Sequence, residues 1–193
     1  MAEFTKPVQI LVLCTGNSAR SILAEALLNH LGAGRVQAYS AGSKPTGVVN
    51  PVALTTLAKN GIACAAARSK SWDEFAEPPT AATQTTAAPA LDYVITVCGN
   101  AADEICPIWR GTGAGAGAVR RIHWGIADPA HIEPLAAKEA AFELAYQALH
   151  QRVTAFLALP LASMEAEAVV AAARDIHQAC QAKPVNAAAK ESV

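Results

Sequence analysis

What this chain lacks narrows its function before any motif is read. Its 193 residues carry a formal charge of only −1, so nothing favours nucleic acid or an anionic membrane surface as a partner. No apolar run approaches the roughly 20 residues of a membrane span. The opening Met1-Ala2-Glu3-Phe4-Thr5-Lys6-Pro7 lacks the basic-then-apolar order of a secretory leader. Five cysteines are an odd number, which argues against the disulfide framework of a secreted domain. Neither Cys98 nor Cys106 has a second ligand at zinc-finger spacing, and His123 and His131 form no recognisable cluster, so no zinc is expected. The expectation is a soluble cytoplasmic protein whose thiols serve chemistry. Hydrophobic residues make up 52%, but much of that is alanine, so the core is smaller than the figure suggests.

What is present alternates between strand and helix signals. Val8 to Leu13 is an apolar run, followed by an amphipathic segment from Ser21 to Leu31 and a second short strand, Val36 to Ala41. Gly42 to Gly47 reads as a loop. Asn50 is placed to cap a helix with Pro51 at its first position and Gly61 closing it. A short helix is expected over Ser71 to Phe75 and a surface loop over Glu77 to Ala90. Tyr93 to Cys98 is a buried strand by its β-branched content. Gly111 to Ala118 alternates glycine with small residues and reads as flexible. Arg120 to Trp124 is a fourth strand, Lys138 to Leu159 a long amphipathic helix, and Met164 to Ala179 another. Such alternation predicts a single α/β domain over residues 1–160, a mainly parallel sheet covered by helices on both faces. Residues 161–193 then form a helical C-terminal extension, frayed at its end. In parallel sheets ligands gather at the carboxyl ends of strands, and Cys14, Cys98 and Asp128 all lie just past such ends.

The chemistry is concentrated in Cys14-Thr15-Gly16-Asn17-Ser18-Ala19-Arg20-Ser21. A strand delivering a cysteine to a tight loop at a helix N-terminus places a nucleophile inside an anion cradle, because backbone N–H groups converge there and the helix dipole adds positive charge. That field is expected to lower the Cys14 pKa, and the Ser21 hydroxyl to lower it further. Gly16 permits the close turn, and Asn17 tolerates a left-handed backbone. The planar fork of Arg20 suits two oxygens of a tetrahedral oxyanion. Thr15, Gly16, Asn17, Ser18, Ala19 and Arg20 are thus the expected oxyanion-binding residues.

Two further features face the same edge. Asp128-Pro129 is either a turn or a general acid protonating an oxygen as it leaves the bound oxyanion. Cys98 and Cys106 are separated by seven residues, Gly99 to Ile105; they are either buried apolar thiols or a redox pair. In the second reading one thiol attacks a sulfur and the other resolves it.

With these residues in place the chain resembles the arsenate reductases built on the low-molecular-weight protein tyrosine phosphatase fold. The resemblance rests on Cys14 to Ser21, Tyr39-Ser40-Ala41-Gly42, Val97-Cys98 to Cys106-Pro107-Ile108-Trp109, and His123-Trp124-Gly125 with Asp128-Pro129, and runs from Val8 to Leu159. It implies a four-stranded parallel sheet and reduction of arsenate to arsenite, with phosphate or sulfate as mimics. Carried over, Cys14 attacks arsenic, Arg20 and the loop N–H groups hold the oxyanion, and Asp128 protonates the departing hydroxyl. Cys98 then attacks Cys14 and releases arsenite, and Cys106 resolves Cys98. The resulting disulfide is reduced by an external thiol, from thioredoxin or from glutathione with glutaredoxin. Asn17, Ser21 and Glu25 match positions that in some relatives organise the loop, partly around a potassium ion. Ala19 stands where the phosphatases and some reductases carry a second loop cysteine, which excludes a disulfide within the loop. Two other readings stay open: a phosphatase, for which Cys14, Arg20 and Asp128 serve equally well, and a non-catalytic arsenic-binding or redox-sensing module.

Overall fold

The computed structural model describes residues 6–76, 89–99, 109, 111 and 119–182. The chain runs β1 (Val8–Cys14), α1 (Arg20–Gly32), β2 (Val36–Gly42), α2 (Pro51–Lys59), a 3-10 turn (Trp72–Phe75), β3 (Tyr93–Thr96), β4 (Arg120–His123), α3 (Leu135–Leu157) and α4 (Ala166–Ala182). The strands form one all-parallel sheet in the order β2-β1-β3-β4. A central parallel strand is covered on both faces and must be apolar along its whole length. This is why β1 reads as an unbroken run in the sequence.

Alternation along β1 divides the interior. Ile10, Val12 and Cys14 face the larger core with Ile22, Leu27, Leu57, Phe142, Leu149 and Phe156 from the helices. Leu11 and Leu13 face the opposite side, where Phe75, Leu91, Val94 and Trp109 cover them. Burying this apolar surface contributes roughly 25 cal/mol per Å², and it holds the carboxyl end of β1 rigidly between its neighbours. α2 begins as its residues predict, with the Asn50 side chain accepting from the Val52 N–H at 3.0 Å and Pro51 following.

Where the sequence places a C-terminal extension, α4 packs into the main core. Val169 and Ala173 are fully buried, and the Trp124 indole N–H donates to the Ala173 carbonyl at 3.1 Å. The buried Arg152 of α3 donates through Nε to His177 Nδ1 at 3.0 Å. The expected loop over Glu77 to Ala90, the glycine-rich stretch Gly111 to Ala118 and the frayed end fall mainly outside the described residues.

Candidate active site

β1 ends at Cys14 and α1 begins at Arg20, so the loop between them sits at the carboxyl edge of the sheet. Asn17 turns it with φ 43°, the left-handed conformation that asparagine tolerates. Three carbonyls are held from one side: Thr15 O accepts from Lys44 N–H at 2.9 Å, Gly16 O from Thr46 N–H at 3.0 Å, and Ser18 O from Asn50 N–H at 2.9 Å. In a planar trans peptide the N–H points opposite to the C=O. The N–H groups of Gly16, Asn17 and Ala19 therefore point away from those donors, and that of Asn17 donates to Cys14 Sγ at 3.2 Å. Close approach of β2 is part of this construction, since a Cβ on Gly42 would lie 2.4 Å from Thr15 O and 3.0 Å from Asn17 N.

The Cys14 thiol is buried and lies 2.9 Å from Ser21 Oγ. Ser21 Oγ accepts from Asn17 Nδ2 at 2.9 Å, so its own hydrogen is free to point at the sulfur. The net effect nevertheless departs from the sequence expectation of a lowered pKa. Burial pushes the Cys14 thiol up, and the hydrogen bonds from Ser21 and the Asn17 N–H pull it back only in part; the neighbouring Cys98 adds to the rise. The physical reason is depth. The strand carries its terminal sulfur into the apolar face of α1, where a thiolate loses solvation.

Arg20 and Asp128 meet. Arg20 Nη2 lies 2.6 Å from Asp128 Oδ2, while Nη1 donates to the Ile126 carbonyl at 2.9 Å. Asp128 Oδ1 accepts from the Ala130 N–H at 3.0 Å. Both terminal nitrogens of the guanidinium are thus engaged by the segment carrying the acid, so Arg20, which opens α1 directly after the loop, links the two features read separately from the sequence. Cys98, just past β3, is buried with its sulfur 3.7 Å from Thr15 Oγ1. Cys14, Thr15, Gly16, Ser18, Ala19, Arg20, Cys98 and Asp128 line one cleft of about 760 Å³, with Lys44 and His131 at its sides. Cys106 lies outside the described residues.

Behind the loop is a polar cluster that sequence reasoning entered through Asn17, Ser21 and Glu25, and through Ser40 only as part of the Tyr39 to Gly42 resemblance. The Asn17 amide also donates through Nδ2 to Ser40 Oγ at 2.8 Å, and its Oδ1 accepts from the Lys70 N–H at 2.8 Å. The Ser40 hydroxyl donates to Glu25 Oε2, and the Lys70 ammonium lies 3.5 Å from the same oxygen. A potassium ion does not fit this donor set. The Glu25 carboxylate, the one charged ligand the set offers, already faces the Lys70 ammonium, whose charge would repel a second cation. Among the described residues no cluster of three or more His, Cys, Asp or Glu could hold a metal ion. Ser40 and Lys70 carried no signal as site residues on their own, because their partners lie 15 to 53 residues away.

Comparison with known proteins is consistent with this geometry. A family model described as low molecular weight phosphotyrosine protein phosphatase matches residues 9–171. An arsenate reductase of Bacillus licheniformis is 36% identical over 134 residues, 69% of this chain and 82% of its own. One from Shouchella clausii is 33% identical over 124 residues, 64% of this chain and 76% of its own. Of solved structures, an arsenate reductase in the phosphate binding state matches with a TM-score of 0.55 at 21% identity, covering 78% of this chain and 97% of that one. The tyrosine phosphatase Wzb from Escherichia coli K30, in complex with sulphate, matches with a TM-score of 0.56 at 22% identity, covering 77% and 95%. The structural likenesses speak to the fold.

Proposed function

The chain belongs to the low molecular weight phosphotyrosine protein phosphatase family, and we propose that within it this protein reduces arsenate to arsenite. Support comes from the curated relatives, which are arsenate reductases. The observation that carries the reading is the second buried thiol, Cys98, against Thr15 of the nucleophile loop. A hydrolase using Cys14, Arg20 and Asp128 has no use for it.

In this reading the loop N–H groups and Arg20 hold the arsenate oxygens, for which phosphate and sulfate are mimics. The Cys14 thiolate forms a bond to arsenic(V), and an arsenic-bound hydroxyl leaves as water on protonation by Asp128. Cys98 then attacks Cys14 Sγ. The sulfur–arsenic bond breaks with its electron pair staying on arsenic, which departs as arsenic(III), and a Cys14–Cys98 disulfide forms. Cys106 attacks Cys98, returning Cys14 as thiolate and leaving a Cys98–Cys106 disulfide. An external dithiol such as thioredoxin, or glutathione with glutaredoxin, restores the pair. Such a relay needs a reducing compartment, which makes the cytoplasm its setting. Among the described residues no helix is long and apolar enough to cross a membrane.

The test is arsenate-dependent NADPH oxidation coupled in parallel to thioredoxin and glutaredoxin systems, with free thiols counted in single turnover. Arsenate should cost the reduced protein two free thiols, and Cys14→Ser should abolish the loss. A Cys14–Cys98 disulfide should accumulate in Cys106→Ser. Hydrolysis of an aryl phosphate without thiol loss under arsenate would make the protein a phosphatase instead. Arsenite binding without turnover would make it a sensor.

A further inference from the structure

The polar cluster behind the loop closes on itself through one residue. Lys70 donates its main-chain N–H to Asn17 Oδ1 at 2.8 Å. Asn17 Nδ2 donates to Ser40, Ser40 donates to Glu25, and Glu25 faces the Lys70 ammonium at 3.5 Å. The Lys70 main-chain carbonyl, in turn, accepts from the Gly42 N–H at 2.9 Å, joining the ring to the strand that packs against the loop. One spur leaves the ring: the second donation from Asn17 Nδ2 goes to Ser21 Oγ, which sits 2.9 Å from Cys14 Sγ.

Every hydrogen in this ring has a direction. The Lys70 N–H makes Oδ1 the accepting end of the Asn17 amide, so both Nδ2 hydrogens are left to donate. Ser40 and Ser21, each accepting one of them, turn their own hydrogens onward, to the carboxylate in one case and to the sulfur in the other. What holds the far end is charge. The Glu25 carboxylate is three-quarters buried and the Lys70 side chain more than nine-tenths buried. A carboxylate at that depth needs a compensating cation. Burial works against the Lys70 ammonium, and Glu25 is the chief group opposing that loss.

We propose that the Lys70 ammonium is the resident cation of this loop, a positioning residue that keeps the Glu25–Ser40–Asn17–Ser21 relay of hydrogen bonds aimed at Cys14 and makes a bound metal ion unnecessary. The inference rests on Cys14 being the nucleophile. It does not rest on arsenate being the substrate, because thiol reactivity reads it directly.

The experiment is site-resolved alkylation of Cys14 by iodoacetamide in the reduced full-length protein, across a pH series, in potassium chloride and in choline chloride at equal ionic strength. Wild-type rates should be the same in both salts. Lys70→Met should lower the neutral-pH rate by about tenfold, the worth of a weakened charge-assisted hydrogen bond. Its pH profile should move to higher pH while the circular dichroism melt stays cooperative, and Lys70→Arg should recover most of the rate. A merely structural lysine would change the melt without displacing the profile. Potassium-specific acceleration of the wild type, or a Lys70→Met profile that superposes on the wild type, overturns the proposal. Should Lys70→Met not fold, Lys70→Arg in the two salts decides: salt-independent rates near wild type support the assignment, and a new demand for potassium overturns it.

Discussion

Ser21 is the residue on which the reactivity of Cys14 turns most directly. Its hydroxyl is the largest of the hydrogen-bond influences pulling the thiol down, against the larger opposing effect of burial. Alkylation needs the thiolate, so its rate climbs as pH rises through the Cys14 pKa. Burial displaces that climb to higher pH, and losing Ser21 displaces it further. Ser21→Ala should therefore cut the neutral-pH alkylation rate by about tenfold or more, with little change once the solution is alkaline enough to ionise both proteins. Equal neutral-pH rates in the two would remove Ser21 from the site. Both residues were legible beforehand because they share one contiguous motif, where spacing alone brings side chains together. The sign of the net effect on Cys14 was not legible, because desolvation depends on what packs over the sulfur.

Among the elements, the joint between β2 and the nucleophile loop is the most demanding. Gly42 ends β2 opposite Cys14 in register, and its α-carbon faces loop backbone with no room for a methyl group. The neighbouring atoms are a carbonyl oxygen and an amide nitrogen rather than the tip of a flexible side chain, so relief requires the strand or the loop to move. Gly42→Ala should cost about 1–3 kcal/mol, read as a lower urea midpoint, and should slow Cys14 alkylation because the loop carries Asn17 with it. A variant as stable and as reactive as wild type would show that the joint is slack. The strands and helices themselves were readable from periodicity and caps: Asn50 and Pro51 begin α2 as expected, and β1 ends at the cysteine. That Gly42 must be glycine was invisible, because its need arises from chain brought alongside it by the sheet.

At the scale of the whole molecule, α3 and α4 are locked by a buried pair without an acid. Arg152 donates to His177 Nδ1, which requires that nitrogen to be unprotonated. Burial first, then the Arg152 charge and the neighbouring His123, pushes the His177 imidazole down from its ordinary value of 6.5. The unfolded chain therefore binds the proton more readily than the folded one. This contribution to stability is complete above about pH 6.5 and is lost as pH falls, by at most about 1.4 kcal/mol per unit. Urea midpoints should decline between pH 7 and pH 5, and His177→Gln, which keeps an acceptor but cannot titrate, should show a shallower decline. Parallel declines would place the acid sensitivity elsewhere. Because Val169 and Ala173 lie in the same core as β1, unfolding should remain a single transition at every pH.

Local order and local motif could be read from residues in line: the apolar β1 run, the turn at Gly16 and Asn17, the capped start of α2, and a cysteine and an arginine placed on one loop. Each depends on neighbours within a few positions, where chain geometry leaves little choice. Meetings across the chain were settled by packing. Parallel pairing of β1 with β3 set Cys98 against Thr15, pairing of β3 with β4 brought Asp128 to Arg20, and the contact of Lys70 with the end of β2 seated it beside Glu25. The reason is geometric. Contacts between residues 45 to 108 positions apart depend on strand order and register, and on which face each side chain takes, and these are properties of the assembled sheet.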